Sequence, residues 1–335
     1  MFSVNFYGLF PLRERLQALR QAGAGAAVWL VDNPWNILAG VRDPLWKTLP
    51  LFVTDAAFIA PLRAHGAERV YHLPLAASFE LFAPNPVRDA AFAPPKNAAP
   101  LCFVGRSAFP GKEQFFAGRS IPAALEQEAG ACIESGKRPD LLWWESRLNL
   151  KNAPFWPGKK ARAAALGAEN SNLSYRARCL QGASLAGQAV KKDKTPGVPG
   201  LDIYGDEGWH TMLPQGARLL PPVDYYSRLP GIYQAARYSL CLTSLQLPQG
   251  LNQRHFDIWA AGGFAISDAT PGLALFPDEL TRPIRFTRPD DLPALVQRLE
   301  GRADKSALQE QWVACLRQGH TYAHRAQTVL KVLDA

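Results

Sequence analysis

The sequence predicts an α/β protein of two domains, each built on a parallel sheet. Three observations carry this expectation. Short apolar runs alternate with helical patterns through the first hundred residues. Residues 83–100 (APNPVRDAAFAPPKNAAP) are rich in Pro and Ala and have no periodicity, which marks a boundary. Beyond them PLCFVGRSAF opens a second strand–helix alternation that runs into helical patterns at the C-terminus. A length of 335 residues suits two domains.

In order, FSVNFYGL reads as a strand and its turn, and LRERLQALRQAG as a helix with a Gly stop. AAVWLVDNP is a buried strand that exits through Asp32, Asn33 and Pro34. LPLFVTD is a strand, AAFIAPLRAHGA a helix, and VYHLPLA a short strand with a proline exit. Strand and helix at these spacings make βαβ units. After the linker, PLCFVGRSAF is a strand with a Gly exit. Residues 120–195 read as helices broken by PFWPG and by KKDKTPGVPG. LDIYGDEGW is the next strand and loop, and GIYQAARYSLCLTS a helix feeding a strand. RHFDIWAAGGFAISD is a helix ending at Gly262-Gly263 before a strand, and DDLPALVQRLEG and SALQEQWVACLRQGHTYAHRAQTVLKVL close the chain as helices.

Composition narrows the class. With 47% hydrophobic and 20% charged residues the chain is globular, which excludes global disorder, collagen and coiled coil. No run approaches the ~18 apolar residues of a membrane span. The start, MFSVNFYGLFPLRER, lacks the pattern of a secretory signal. Five scattered cysteines (Cys102, Cys132, Cys179, Cys241, Cys315) suggest reduced thiols rather than a disulfide frame or zinc site. A cytoplasmic protein is expected, with peripheral attachment to the inner membrane face as a variant. The net charge of +8 is concentrated. Residues 151–200 hold nine Lys and Arg against Glu169 and Asp193, a net +7. This segment reads as a solvated lid or a dock for an anionic ligand or surface. No nucleic-acid partner is expected, because no binding motif is present and the basic run lacks interleaved aromatics.

In open α/β sheets ligands bind at the carboxyl ends of strands, so the exit loops carry the chemistry. FVGRSAFPGK places Gly105, Arg106, Ser107 and Lys112 there, with cations suited to a phosphate. IYGDEGW adds Gly205, Asp206, Gly208 and Trp209, a loop suited to a nucleobase beside backbone. In QGLNQRHFDIWAAGGF, Arg254 and Asp257 share a helix face. Arg254 can meet a phosphate bidentately and Asp257 can accept two sugar hydroxyls, with Asn252 and His255 at the helix start. No catalytic Ser-His-Asp order, HExxH or DxD is present, and no metal is expected.

These residues point to a family. YGDEGW, PPVDYYSRLPGIYQAARYSLCLTS, RHFDIWAAGGFAISD and HTYAHR together resemble the CgeB-like, spore-maturation-protein-like glycosyltransferases. The N-terminal part resembles the companion domain that often precedes them. The likeness covers roughly residues 1–88 and 100–325, with 120–195 poorly covered. It implies a GT-B fold: two Rossmann-like domains facing across a cleft, the N-terminal one apparently shortened. The expected division is 1–90 on the acceptor side, completed by the C-terminal helix at 320–335, then a linker at 91–100. A nucleotide-sugar domain follows at 101–320, with a basic helical insertion at about 120–195. The resemblance places Asp257 on the donor ribose, and Gly262, Gly263 and Phe264 at a turn bringing backbone to the donor. Gln249 stands where the pattern has a Glu that contacts donor sugar. Tyr225 joins the donor side, and Tyr7, Gly8, Asn33 and His72 the acceptor side.

The implied activity is metal-independent transfer of a sugar from a nucleotide-sugar to a glycan, protein or lipid-linked acceptor. Arg254 would stabilise the departing phosphates, supported by Arg106 and Lys112. If transfer inverts the anomeric centre, Asp32 is the candidate base, ahead of His72. The alternatives are a GT-B-like binding or scaffold protein without catalysis and, further off, a basic nucleic-acid-binding protein.

Overall fold

A computed structural model describes residues 1–85, 95, 97–150, 153–158, 160–191 and 198–334. Half of the expected linker at 91–100 (residues 91–94 and 96), and Lys151, Lys159, Lys192, Asp193 and Lys194, lie outside the described residues.

Two parallel sheets form. The first has the order β1-β2-β3-β4 and comprises β1 (Phe2–Val4), β2 (Ala27–Leu30), β3 (Pro50–Val53) and β4 (Arg69–His72). β2 and β3 are buried along their whole length, as apolar runs covered on both faces should be. The second sheet has the order β10-β9-β8-β5-β6-β7. Its strands are β5 (Leu101–Val104), β6 (Leu201–Tyr204), β7 (Ala217–Leu220), β8 (Tyr238–Cys241), β9 (Ala265–Asp268) and β10 (Arg285–Phe286). From β5 the chain steps outward through β6 and β7, then returns to β8 on the other flank of β5. That reversal opens a crevice above the carboxyl ends of β5 and β8, where such sheets bind ligands.

The segment read as a solvated basic lid is corrected by the structure. Lys160–Ala189 is one 30-residue helix with 16 buried residues, and it ties the two domains together. Ala161, Ala164, Ala165 and Ala168 pack in the core of the first sheet with Trp35, Trp46 and Trp144. Tyr175, Cys179, Leu180, Ala183 and Ala186 pack in the core of the second. Its small side chains let neighbours approach on several faces, so no single apolar stripe appears in the sequence. Three of its cations are turned toward protein or cleft. Arg162 lies over the Phe115 ring at 4.6 Å, Arg178 meets Asp290 at 3.1 Å, and Arg176 points into the crevice.

Two glycines of this helix mark its closest contacts. A Cβ on Gly167 would overlap the Trp144 indole, and one on Gly187 would overlap the backbone of Gly200. Backbone cannot swing aside as a side chain can. Gly187→Leu is therefore expected to destabilise the fold by about 2–3 kcal/mol, read as a lower urea midpoint. A midpoint unchanged from wild type would show that the helix sits further from β6 than described.

The C-terminal helix Tyr322–Leu333 crosses back to the first sheet, where Val329 packs with Ala27, Trp29, Phe52 and Leu73. Thr321 caps it in a capping box with His324. Further polar ties join the domains. Asn33 donates to Gln246 Oε1 at 3.0 Å, and Gln253 donates to the Ala76 carbonyl at 2.8 Å. The buried Asp55 carboxylate accepts the N–H groups of Gln249 and Gly250, each at 2.9 Å. Burial pushes the Asp55 carboxyl up, and these backbone N–H groups pull against that shift.

Candidate active-site cleft

A cleft of about 780 Å³ lies between the carboxyl edges of the two sheets. Asp32, Asn33 and Asn36 line it from the first domain, and Gly105, Arg106, Asn252 and Arg254 from the second. The long helix contributes Glu169, Asn172 and Arg176.

Three guanidinium groups define the second-domain wall. Arg254 opens the helix Arg254–Ala260, and its N–H is fixed by Asn252 Oδ1 at 3.0 Å. Arg176 reaches from the long helix and donates to the Arg106 carbonyl at 3.2 Å. The Nε atoms of Arg176 and Arg254 are buried without a hydrogen-bond partner. Among the described residues none of the three arginines makes an ion pair within 4 Å. Burial, and then the neighbouring Arg254 cation, push Arg176 below the ordinary arginine range. Two like charges held together with no carboxylate in ion-pair contact form a site that gains from an anion.

The exit loop of β6 has a different task from the one expected. Ser107 donates through its hydroxyl to Asp206 Oδ1 at 2.6 Å and through its N–H to Oδ2 at 3.2 Å. Gly208 donates to the same carboxylate at 3.2 Å. A Cβ on Gly205 would crowd the Gly105 carbonyl at 2.6 Å, so this glycine serves loop-to-loop packing. Trp209 is fully buried, donates to the Gly105 carbonyl at 2.8 Å and sits edge-on to Phe103. It cannot stack a base. Ser107, Gly205, Asp206, Gly208 and Trp209 thus form a clasp that fixes Gly105 and Arg106 and do not line the cleft.

Other expected residues also lie elsewhere. Gly262, Gly263 and Phe264 precede β9, so in a parallel sheet they sit at the amino edge, opposite the cleft. Phe264 packs on Tyr238 and Trp259. His255 is buried between Cys241, Asn252 and Ser267, and burial lowers its pKa to about 4. Lys112 turns away and donates to Asn170 at 3.1 Å. On the first domain Tyr7, Gly8 and His72 lie outside the cleft lining. Tyr7 is exposed, and His72 faces the Thr54 carbonyl at 3.3 Å.

Asp257 has no exposed surface. Tyr225, which lines the cleft, donates to one of its oxygens, and Gln253 donates to the other at 2.8 Å. A ligand hydroxyl reaches this carboxylate only if Tyr225 moves. Burial raises the Asp257 pKa to about 7. As pH rises from about 4 to 7 the unfolded chain loses this proton while the folded chain keeps it, so the group lowers stability across that window. Asp257→Asn is expected to flatten the fall of unfolding free energy there by up to about 1.4 kcal/mol per pH unit. Urea titrations across the window check it, and an unchanged slope would show a carboxyl that ionises freely in the fold.

Sequence reasoning placed Asp32, Asn33, Gly105, Arg106, Tyr225, Asn252 and Arg254 where they line the cleft. It missed Arg176, Glu169 and Asn36, and it missed Asn5, which holds Asp32 from behind. Asn5 has φ 50°, accepts the Val31 N–H at 3.0 Å and donates to Asp32 Oδ2 at 2.8 Å. Among the described residues no three His, Cys, Asp or Glu side chains group as a metal site, and no helix is long and apolar enough to cross a membrane.

Residues 184–331 match the family described as glycosyl transferase-like. No curated protein matches the chain. Among solved structures the chain is similar to sucrose-phosphate synthase from Thermosynechococcus elongatus, with 13% identity and a TM-score of 0.51, over 99% of this chain and 72% of that one. It is also similar to Anabaena Alr3699/HepE, solved with UDP and glucose, at 10% identity and a TM-score of 0.51, over 96% of this chain and 76% of that one. The fold is GT-B, with two Rossmann-like domains facing across a cleft.

Proposed function

We propose that the chain transfers a glycosyl group from a nucleotide-sugar to a hydroxyl-bearing acceptor. The observation that carries this reading is the convergence of Arg106, Arg176 and Arg254 at the strand-order reversal, two of them with buried, unpartnered Nε atoms. A diphosphate fits that wall: its oxygens accept from the guanidinium groups, and its charge offsets the repulsion between Arg176 and Arg254. The match of residues 184–331 to a glycosyl transferase-like family supports it. The CgeB-like motif set is the finer assignment within that class.

In the proposed reaction the bond between the anomeric carbon and the diphosphate oxygen breaks, and its electron pair leaves with the phosphate. The arginines stabilise that charge directly, so the reading requires no metal ion. The acceptor oxygen forms the new bond to the anomeric carbon and gives its proton to Asp32, which faces it from the first domain.

A second reading, nucleotide binding without turnover, draws on the Tyr225 and Gln253 bonds that occupy Asp257. Calorimetric titration with UDP, GDP, CMP and TDP and their sugars tests both. At least one is expected to bind, and Arg254→Ala to weaken it by about 10- to 100-fold. No binding at millimolar concentration, or wild-type affinity in Arg254→Ala, would defeat the donor-site assignment. Tight binding with no transfer to any acceptor would favour the second reading.

A further inference from the structure

The two ends of the cleft differ in chemistry. Its cations, Arg106, Arg176 and Arg254, all stand on the second-domain side. Ile37, Phe109, Phe115 and Leu247 pack with the first-sheet core and line the cleft there, with Val31 and Pro110 also in the lining. Phe109 and Phe115 meet edge-on at 5.7 Å, making a preformed aromatic wall. Arg162 stacks on Phe115 but does not line the cleft, and Lys112 is held by Asn170. A phosphate or carboxylate seated on that apolar wall would lose its hydration, and the lining carboxylates Asp32 and Glu169 would repel it. Within the same chamber the side-chain oxygen of Asn36 is buried without a partner. Such an atom gains from a donor that a ligand brings.

We propose that the acceptor is an uncharged aromatic alcohol. Its ring seats against Ile37, Phe109 and Phe115, and its hydroxyl lies within reach of Asn36 and Asp32. This deepens the transfer reading and rests on it for the role of acceptor. The apolar wall itself is independent of the arginines.

The test is binding of 2-naphthol to the full chain, followed by tryptophan fluorescence, with and without saturating UDP. Glucose 6-phosphate and maltose serve as the charged and neutral sugar probes. Saturable 2-naphthol binding is expected, weakened at least tenfold by Ile37→Asp and by Phe109→Asp, with UDP affinity in both variants within twofold of wild type. Two substitutions on different elements, each checked for native circular dichroism, separate a lost contact from a lost fold. With UDP-glucose present, a naphthyl glucoside is the expected product. Saturable binding of glucose 6-phosphate or maltose without 2-naphthol would overturn the proposal, as would two folded variants that bind 2-naphthol like wild type. If 2-naphthol binds and none of UDP, GDP, CMP and TDP does, the aromatic wall is supported while the transfer reading fails.

Discussion

Asp32→Asn is expected to lower kcat for transfer by about 10²–10⁴-fold while leaving the Kd for UDP within twofold. The expectation follows from where the carboxylate stands. It sits just past β2 on the first-domain wall, across the cleft from the arginines. It can therefore meet an acceptor hydroxyl without touching the leaving group. Asparagine keeps the shape and the bond from Asn5 but cannot take the proton. Asn5 acts through Asp32 and is a positioning residue. Its left-handed backbone at φ 50° turns the amide so that one end accepts from Val31 and the other donates to Asp32. Asn5→Ala is expected to lower kcat about tenfold with KM unchanged, and Asn5→Asp to restore little, because a second carboxylate would repel the first. A kcat within threefold of wild type in Asp32→Asn would exclude Asp32 as the base. The next group to replace would then be Glu169, which is buried at the cleft wall and faces Gln246 Nε2 at 3.4 Å.

What the sequence made legible follows physical rules that act locally. Apolar runs such as AVWL and PLFV, buried on both faces, could be read as strands of a parallel sheet, and the exits of such strands located the cleft. Arg254 and Asn252 were found this way. The long helix defeated the same logic. Its Ala, Gly and Ser positions are buried against several neighbours, so its burial leaves no stripe, and its scattered cations imitate a solvated surface. Arg176 was hidden in that segment, because only the crossing of the helix over both cores aims it into the cleft. A glycine-rich loop with an aromatic suits a base equally well, so sequence alone makes Gly208 and Trp209 ligand groups. The three donors that Asp206 gathers, on both exit loops, decide for a clasp. Gly262 and Gly263 illustrate a further limit. A motif shared with a family locates a turn in sequence, while the direction of β9 decides which edge of the sheet it occupies.

Arg176→Ala is expected to weaken UDP binding by about 10- to 100-fold, and the double change with Arg254→Ala by less than the product of the single losses. A charge-assisted hydrogen bond contributes about 1.5–3 kcal/mol, and each 1.4 kcal/mol is tenfold in affinity. Non-additivity is expected because both arginines serve one dianionic group. Removing either also relieves the repulsion that, after burial, holds Arg176 below its ordinary range. The same relief separates a binding role from a structural one. If Arg176 mainly braces the Arg106 carbonyl, its loss should lower the urea midpoint of the free protein and alter UDP affinity little. If it holds phosphate, the free protein should be as stable as wild type or more so, and the deficit should appear only with nucleotide present. Lysine at this position keeps the charge but loses the planar fork, so Arg176→Lys should recover only part of the affinity. The two guanidinium groups stand half-buried in the cleft, so the loss in Arg176→Ala should persist at salt concentrations that erase surface attraction. A double variant that binds UDP as wild type does would place the diphosphate elsewhere, and with it the donor site.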